Sequence, residues 1–292
     1  MRPLILCPAH GRIEPDVNEM FALLRFQFGW EYRPWYGGLG VDRTRSQMAS
    51  QALTGDHDVF FWCDDDNMLP TPLIVEMYET FRAEDMDMLC AVVPTRRMRV
   101  LPNFVPLDMG GKIMMGEAGG IIKAAYAGLA LGFTRRRVWE TLIEHEERRI
   151  REAQEEAASF KELRDLLRDT LKSGKLPALR ERHLRAADFA AINWYKPELP
   201  EVDYMPAFAG DKFAGRPFFH PLVKAAERQH YGEDYSFCDR VRRAGMTIWV
   251  DTRKIACHMA DNAARTMEDI VTEYSRVDQE AQKRAYEEAV VY

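Results

Sequence analysis

Short apolar runs alternate with amphipathic segments over the first 94 residues. The pattern predicts buried strands at residues 3–8, 30–36, 57–63 and 86–94, and helices at 14–28, 37–53 and 70–84. A strand, a helix and a second strand in this order form a parallel pair, because the helix returns the chain to the starting edge of the sheet. The sequence therefore predicts an α/β fold with helices covering both faces of a sheet.

Composition narrows the class of protein further. The chain has 292 residues, 47% of them hydrophobic, which suits one large α/β domain or a domain with an insertion. The formal net charge of −6 gives no sign of an overall basic surface for nucleic acid, although local basic patches remain compatible with it. The five cysteines form no CxxC pair, which favours a reducing compartment. With no signal peptide or membrane-length apolar run, we expect a cytoplasmic protein that does not span a membrane.

Three adjacent aspartates, Asp64, Asp65 and Asp66, directly follow the predicted strand 57–63. Ligands of open parallel sheets bind at the carboxyl ends of the strands, which is where these aspartates lie. Strict alternation would place Asp64 and Asp66 on one side and Asp65 on the other. Crowded carboxylates are tolerated when Mg²⁺ or Mn²⁺ neutralises them, and such ions bring phosphate oxygens. The pattern predicts a metal ion that holds a diphosphate. Aspartates in an ordinary loop before helix 70–84 would give the same sequence pattern.

Four blocks of the sequence resemble the GT-A glycosyltransferases, close to the large family-2-like group, and occur in that family's order. They are LILCPAHGR, VDRTRSQMASQAL, VFFWCDDDNMLPTPLI and GEDYSFCDRVRRAGMTIWVDTRKIACH. The third carries the DxD pattern, and the fourth is the most specific, with an acidic pair, a helix, Ala-Gly, a strand and a histidine. The resemblance covers most of the chain except a charge-dense helical stretch at about 135–192. It implies a GT-A fold with a Rossmann-like mixed sheet and a helical insertion.

The resemblance implies a donor site for a nucleotide-diphosphate sugar, with a UDP-sugar favoured, and Mn²⁺ or Mg²⁺ as the cofactor. The implied metal ligands are Asp64, Asp66 and His258. The residues implied to line the nucleotide site are Pro8, His10, Arg12, Arg45, Asp64 and Asp65.

The resemblance also implies a catalytic pair, Glu233 and Asp234, beside the acceptor. In inverting members of the family, the aspartate removes the proton from the attacking hydroxyl. The chemistry agrees with this role, because a hydroxyl is a poor nucleophile unless a carboxylate takes its proton. Both residues also fit the first turn of a predicted helix at 235–244, and His258 also fits an ordinary strand-end histidine.

The predicted organisation has four parts: a nucleotide-sugar-binding half at 1–134, a helical insertion at 135–195, an acceptor and catalytic half at 196–262, and a C-terminal helix at 263–292. The glycine-containing segment 125–133 fits either a crowded buried strand or, as in the family, a border of the acceptor site.

The acceptor is open at the level of sequence. Basic residues occur in two places, at Arg96, Arg97 and Arg99 and in the stretch 172–185, which precedes Trp194 and Tyr195. Basic and aromatic side chains together bind phosphates and stack on bases, so DNA with hydroxymethylated bases is one expected acceptor. Solvated arginines on an inserted hairpin explain the same pattern. The alternatives are a saccharide or other small acceptor, a nucleotidyltransferase, or a non-catalytic protein with this fold. The oligomeric state is not predicted.

Overall fold

A computed structural model describes residues 2–9, 11–36, 40–95, 101–108, 110, 112–149, 151–152, 155, 218–219, 222–224, 229–260 and 263–266. Several sequence predictions fall outside these residues: His10, the arginines at 96–99, the basic stretch 172–185, Trp194 and Tyr195. Most of the predicted insertion and of the C-terminal helix lies outside them as well.

Strands and helices alternate in the described chain as the apolar pattern predicts. The strands are β1 Leu4–Ala9, β2 Glu31–Tyr36, β3 Val59–Cys63, β4 Asn67–Met68, β5 Met88–Val92, β6 Phe104–Pro106, β7 Ile121–Ala127, β8 Leu131–Arg135, β9 Leu222–Lys224, β10 Gln229–Tyr231, β11 Ile248–Ile255, β12 Cys257–Ala260 and β13 Ala263–Arg265. The helices are α1 Pro15–Phe28, α2 Val41–Ala52, α3 Thr71–Ala83, α4 at 136–149 and α5 Glu233–Arg243. The C-terminal helix was predicted to begin at residue 263, but residues 263–265 form strand β13 instead.

Eight strands form a mixed sheet in the order β2-β1-β3-β8-β5-β11-β7-β6. The pairs β1–β2, β1–β3 and β5–β11 are parallel, whereas β8 and β7 run antiparallel to both of their neighbours. Six of the eight strands consequently point in one direction. The predicted fold class, α/β with a Rossmann-like mixed sheet, is confirmed.

The sheet is buried on both faces, as a nearly continuous apolar sequence in β1, β3 and β5 requires. On one face, Phe61 and Phe133 stack at 4.8 Å between ring centroids, beneath α1 and α3. On the other face, Trp62 and Trp139 both donate a hydrogen bond of 3.1 Å to the hydroxyl of Thr134. Packing on both faces makes the strand ends a rigid platform for side chains that project from them.

The aspartate segment leaves the sheet immediately after β3. Asp64 N–H still donates to Ala130 O at 2.9 Å, but residues 65 and 66 form a turn. The chain then enters β4, which belongs to a second sheet with the order β13-β12-β4. In that sheet His258 lies opposite Asn67. The second sheet therefore brings His258 next to the aspartate segment.

The chain divides into two compact units, one formed by Met1–Leu142 with Met205–Tyr292 and the other by Ile143–Tyr204. The domain boundaries predicted from sequence remain predictions. In the described part of the chain, we find no helix with the length and apolar character that crossing a bilayer would require.

Gly132 shows how closely the strands approach one another. A methyl group added at its Cα would lie 2.8 Å from Leu89 O and 3.0 Å from Cys90 Sγ. Because backbone atoms of β5 cannot move aside cheaply, Gly132→Ala should lower the free energy of unfolding by about 1–3 kcal/mol in urea denaturation. Gly120→Ala is the control, since nothing lies within 4 Å of its added methyl group. Equal losses in the two variants would contradict this account of β8.

Candidate active site

A single arginine links the two halves of the candidate site. Arg45 Nη1 donates to Asp234 Oδ1 at 2.6 Å, and Nη2 donates to both oxygens of Asp64 at 2.8 and 2.9 Å. Arg45 lies on α2, Asp64 follows β3, and Asp234 is in the first turn of α5. The guanidinium thus joins carboxylates from three separate elements of the fold.

The guanidinium lies beneath the carboxylates that it joins. The Arg45 side chain is 3% exposed, whereas Asp64 is 22% and Asp234 19% exposed. The ring of Phe219 lies 5.7 Å from the guanidinium carbon, at a distance typical of a cation–π contact. A ligand at this surface meets the two carboxylates first, and the predicted contact between Arg45 and a nucleotide would have to reach a buried group.

Burial and charge oppose each other in this cluster. Burial raises the pKa of Asp234 to about 7, against the Arg45 charge and a hydrogen bond from Leu129 N–H, while Glu233 and Asp64 add to the rise. Burial likewise raises the pKa of Asp64, against the charge of Arg45. For Arg45 itself, burial disfavours the charged form, but the two carboxylates outweigh it and raise its pKa. Arg45 therefore stays charged, and Asp234 is poised to take up a proton near neutral pH.

A second pair, Asp66 and His258, lies beside this cluster. His258 Nε2 is 3.5 Å from Asp66 Oδ2, and His258 Nδ1 is 2.6 Å from Pro94 O. Since a carbonyl oxygen only accepts hydrogen bonds, Nδ1 carries the proton of that contact. Only one residue separates Asp64 from Asp66, so their Cα atoms are at most about 7 Å apart. His258 is also close enough for its charge to lower the pKa of Asp64 against the effect of burial, so the two pairs belong to one site.

The Asp66–His258 pair fits a divalent cation. In a neutral His258 the lone pair of Nε2 faces a carboxylate oxygen, an arrangement that a cation between the two would stabilise. Within the described ranges, no group of three or more His, Cys, Asp or Glu side chains is placed to hold a metal ion. Both oxygens of Asp64 accept hydrogen bonds from Arg45, so its predicted role as a metal ligand remains a prediction. Two protein ligands with phosphate oxygens and water are a usual arrangement for Mg²⁺ or Mn²⁺.

The other predicted site residues lie at the same edge or outside the described chain. Pro8 is buried in β1, and Arg12 is exposed in the loop that follows. That loop is tied to the aspartates, because Glu14 N–H donates to Asp65 O at 2.9 Å. Glu233 is the first residue of α5, beside Asp234.

Sequence reasoning missed the residues that orient these side chains. Asn67 is buried, and its Nδ2 donates to Asp66 Oδ1 at 3.2 Å. Pro94 supplies the carbonyl that orients His258, and Phe219 packs on Arg45. Asn67 alone carried a signal, as a polar residue directly after the aspartates. Phe219 lies far from α2 in sequence, and nothing in its local pattern indicates the contact.

Comparison with known proteins gives only distant likenesses. No protein-family model matches the chain, and no curated protein matches it. Among solved structures, the A197 protein from STIV aligns over 92% of both chains, with 15% identity and a TM-score of 0.48. A Bacillus anthracis protein assigned as a glucose-1-phosphate thymidylyltransferase aligns over 49% of this chain and 74% of its own, with 12% identity and a TM-score of 0.29. Both likenesses are too distant to assign a function to this chain.

The raised pKa of Asp234 predicts a pH-dependent difference in stability between the wild type and Asp234→Asn. Between about pH 4 and 7 the folded wild type holds a proton on Asp234 that the unfolded chain has lost. Wild-type stability should therefore fall relative to the variant as pH rises through this window, by at most about 1.4 kcal/mol per pH unit. Urea denaturation of both proteins from pH 4.5 to 8 measures this.

Asp239→Asn is the control for that series, because Asp239 lies on the same helix and pairs with Arg243 rather than Arg45. It should leave the pH-dependent loss in place. A constant stability difference between the wild type and Asp234→Asn at all pH values would contradict the raised pKa.

Proposed function

We propose that this chain is a metal-dependent glycosyltransferase of GT-A type, which moves a sugar from a nucleotide-diphosphate sugar to a hydroxyl acceptor. The observation that carries the proposal is the shared guanidinium of Arg45, which holds Asp64 of the DxD segment and Asp234 of α5 at one surface. The Asp66–His258 pair lies next to it. A cation site and a separate carboxylate are the two parts that glycosyl transfer requires.

Asp66 and His258 are the residues that would hold Mn²⁺ or Mg²⁺. When bound, the cation would stabilise the negative charge that develops on the diphosphate leaving group. Asn67 fixes the Asp66 carboxylate, and Pro94 fixes the imidazole ring, so both ligands are oriented before a cation arrives. A set of one carboxylate and one imidazole suits Mn²⁺ better than Mg²⁺.

Asp234 is the proposed base. The acceptor oxygen forms a bond to the anomeric carbon, the bond from that carbon to the diphosphate breaks, and its electron pair leaves with the nucleoside diphosphate. The acceptor proton passes to the Asp234 carboxylate. A pKa of about 7 suits this task, because the group is then both ionised near neutral pH and basic enough to take the proton.

DNA with hydroxymethylated bases is the acceptor that we propose to test first. The motivation is the basic stretch 172–185 followed by Trp194 and Tyr195, all outside the described residues. Contacts with DNA phosphates release counterions, so transfer to DNA should fall steeply between two salt concentrations. Transfer to free sugars with little dependence on salt would indicate a small acceptor instead.

Nucleotide binding should depend on a metal ion through Asp66. In a thermal-shift screen of UDP, GDP and dTDP, Mn²⁺ should raise the midpoint of wild-type unfolding only when nucleotide is present. Asp66→Ala should abolish this shift, and His258→Ala should raise the Mn²⁺ concentration required several-fold. Asp56→Ala, at a fully exposed carboxylate, is the control and should behave as wild type. Unchanged metal dependence in Asp66→Ala would show that the cation binds elsewhere.

Asp234→Asn should retain nucleotide binding and lose transfer. We expect kcat to fall about 10²-fold or more, because amide nitrogen and oxygen cannot take the acceptor proton. The assay follows sugar transfer from UDP-sugars to hydroxymethylated DNA, plain DNA and free sugars, with Asp239→Asn as the control on the same helix.

Full activity in Asp234→Asn would exclude Asp234 as the base. Retention of the anomeric configuration in the product would also argue against the direct displacement described above. Formation of a nucleotide sugar from a nucleoside triphosphate and a sugar 1-phosphate, with no glycosyl transfer, would identify a nucleotidyltransferase instead.

A further inference from the structure

Arg45 is held from several sides at once. Phe219, whose ring lies beside the guanidinium, is fastened to α2 because its N–H donates to Ser46 Oγ at 3.2 Å. Ser46 Oγ in turn donates to Asp42 O at 2.7 Å. The hydroxyl next to Arg45 therefore holds the backbone of Phe219 beside α2, where the ring of Phe219 lies against the guanidinium.

The bond from Arg45 to Asp234 leaves the carboxylate able to react. It uses Oδ1 of Asp234, whereas Asp64 gives both of its oxygens to the other nitrogen, Nη2. A carboxylate has about four lone-pair positions, so contacts from Arg45 and Leu129 leave room for an acceptor proton. Asp64 thus directs both of its oxygens to Arg45, whereas only one oxygen of Asp234 takes part in the contact.

We infer that Arg45 is a positioning residue for the base: anchored on Asp64, its guanidinium holds Asp234 in the orientation that removes the acceptor proton. This inference rests on the proposed function. The sequence predicted that Arg45 contacts the nucleotide. In the inferred role, Arg45 instead connects Asp64, on the donor side, to the base Asp234. The other charged group beside Asp234 is Glu233, which contributes repulsion.

Guanidinium geometry is essential to this role. Arg45 reaches two carboxylates with two different nitrogens of one rigid plane. A lysine keeps the charge but offers a single nitrogen, so it cannot hold both carboxylates in the same arrangement. Arg45→Lys therefore breaks the shared contact, and it also weakens the positive charge at Asp234 because the shorter lysine side chain holds its ammonium group farther away.

Arg136 provides a matched control. Like Arg45, it bridges separate groups through its guanidinium, with Nη1 donating to Gly55 O and Nη2 to Leu53 O, both at 2.6 Å. Its partners are these two backbone carbonyls and, through Nε at 2.7 Å, the carboxylate of Glu140, none of which belongs to the candidate site. Arg136→Lys should cost stability without altering the chemistry of the site.

The experiment compares transfer by wild type, Arg45→Lys, Arg136→Lys and Asp64→Asn across pH at saturating Mn²⁺ and donor. Arg45→Lys should lower kcat about 10- to 100-fold, with KM for the donor within about two-fold, and should move the acidic limb of the pH profile to higher pH. Asp64→Asn should move that limb to lower pH. It removes a negative charge near Asp234, so that Arg45 stabilises the ionised form of Asp234 alone and the pKa of Asp234 falls. Arg136→Lys should keep the wild-type limb. In an Asp234→Asn background, Arg45→Lys should lower kcat no further.

Each result decides between the inference and the proposed function. The inference would be overturned, and the proposed function kept, if the wild type transfers sugar and Arg45→Lys shows the same kcat and the same pH profile as Arg136→Lys. Absence of transfer by the wild type with every donor would overturn both. Thermal unfolding of each variant checks that it is folded. If Arg45→Lys does not fold, Asp64→Asn provides the test. The inference is then overturned if the acidic limb of the pH profile of Asp64→Asn does not move to lower pH.

Discussion

One buried guanidinium allows two carboxylates to share a surface that is largely shielded from water. Without Arg45, Asp64 and Asp234 would repel each other there, and at least one would have to be neutral. The charge of Arg45 lies below them and takes little of the exposed surface. The site consequently presents oxygen atoms outward, which is the arrangement that a cation or a hydroxyl proton can use.

The sheet makes this arrangement possible. β3 and β5 are buried on both faces, and they point in the same direction in the sheet. Asp64 and Asp66 follow β3, while Pro94, which orients His258, follows β5. Because strands of one direction end at one edge, groups from distant parts of the chain meet there without further adjustment. α2 then brings Arg45 to this edge, and α5 brings Asp234.

Much of the fold followed from local pattern. The strand predicted at 57–63 is observed as Val59–Cys63, and the helix predicted at 14–28 as Pro15–Phe28. These elements are predictable because buried strands and amphipathic helices each impose a characteristic spacing of apolar residues on the sequence. The partners of the aspartates did not follow from that pattern. Alternation holds only within a strand, and the chain leaves the sheet after Cys63, so the tertiary structure decides that Asp64 meets Arg45 and Asp66 meets His258.

The sequence by itself determined that a carboxylate cluster would end a buried strand, and that an acidic pair would begin a helix late in the chain. The tertiary structure alone decided which of these groups meet. Arg45 and Asp234 are 189 residues apart, and no local pattern specifies a hydrogen bond between them. Their contact depends on the strand order of the sheet and on the packing of Phe219 against α2. Both arise only when distant segments pack together, so they cannot be read from the residues around Arg45 or around Asp234.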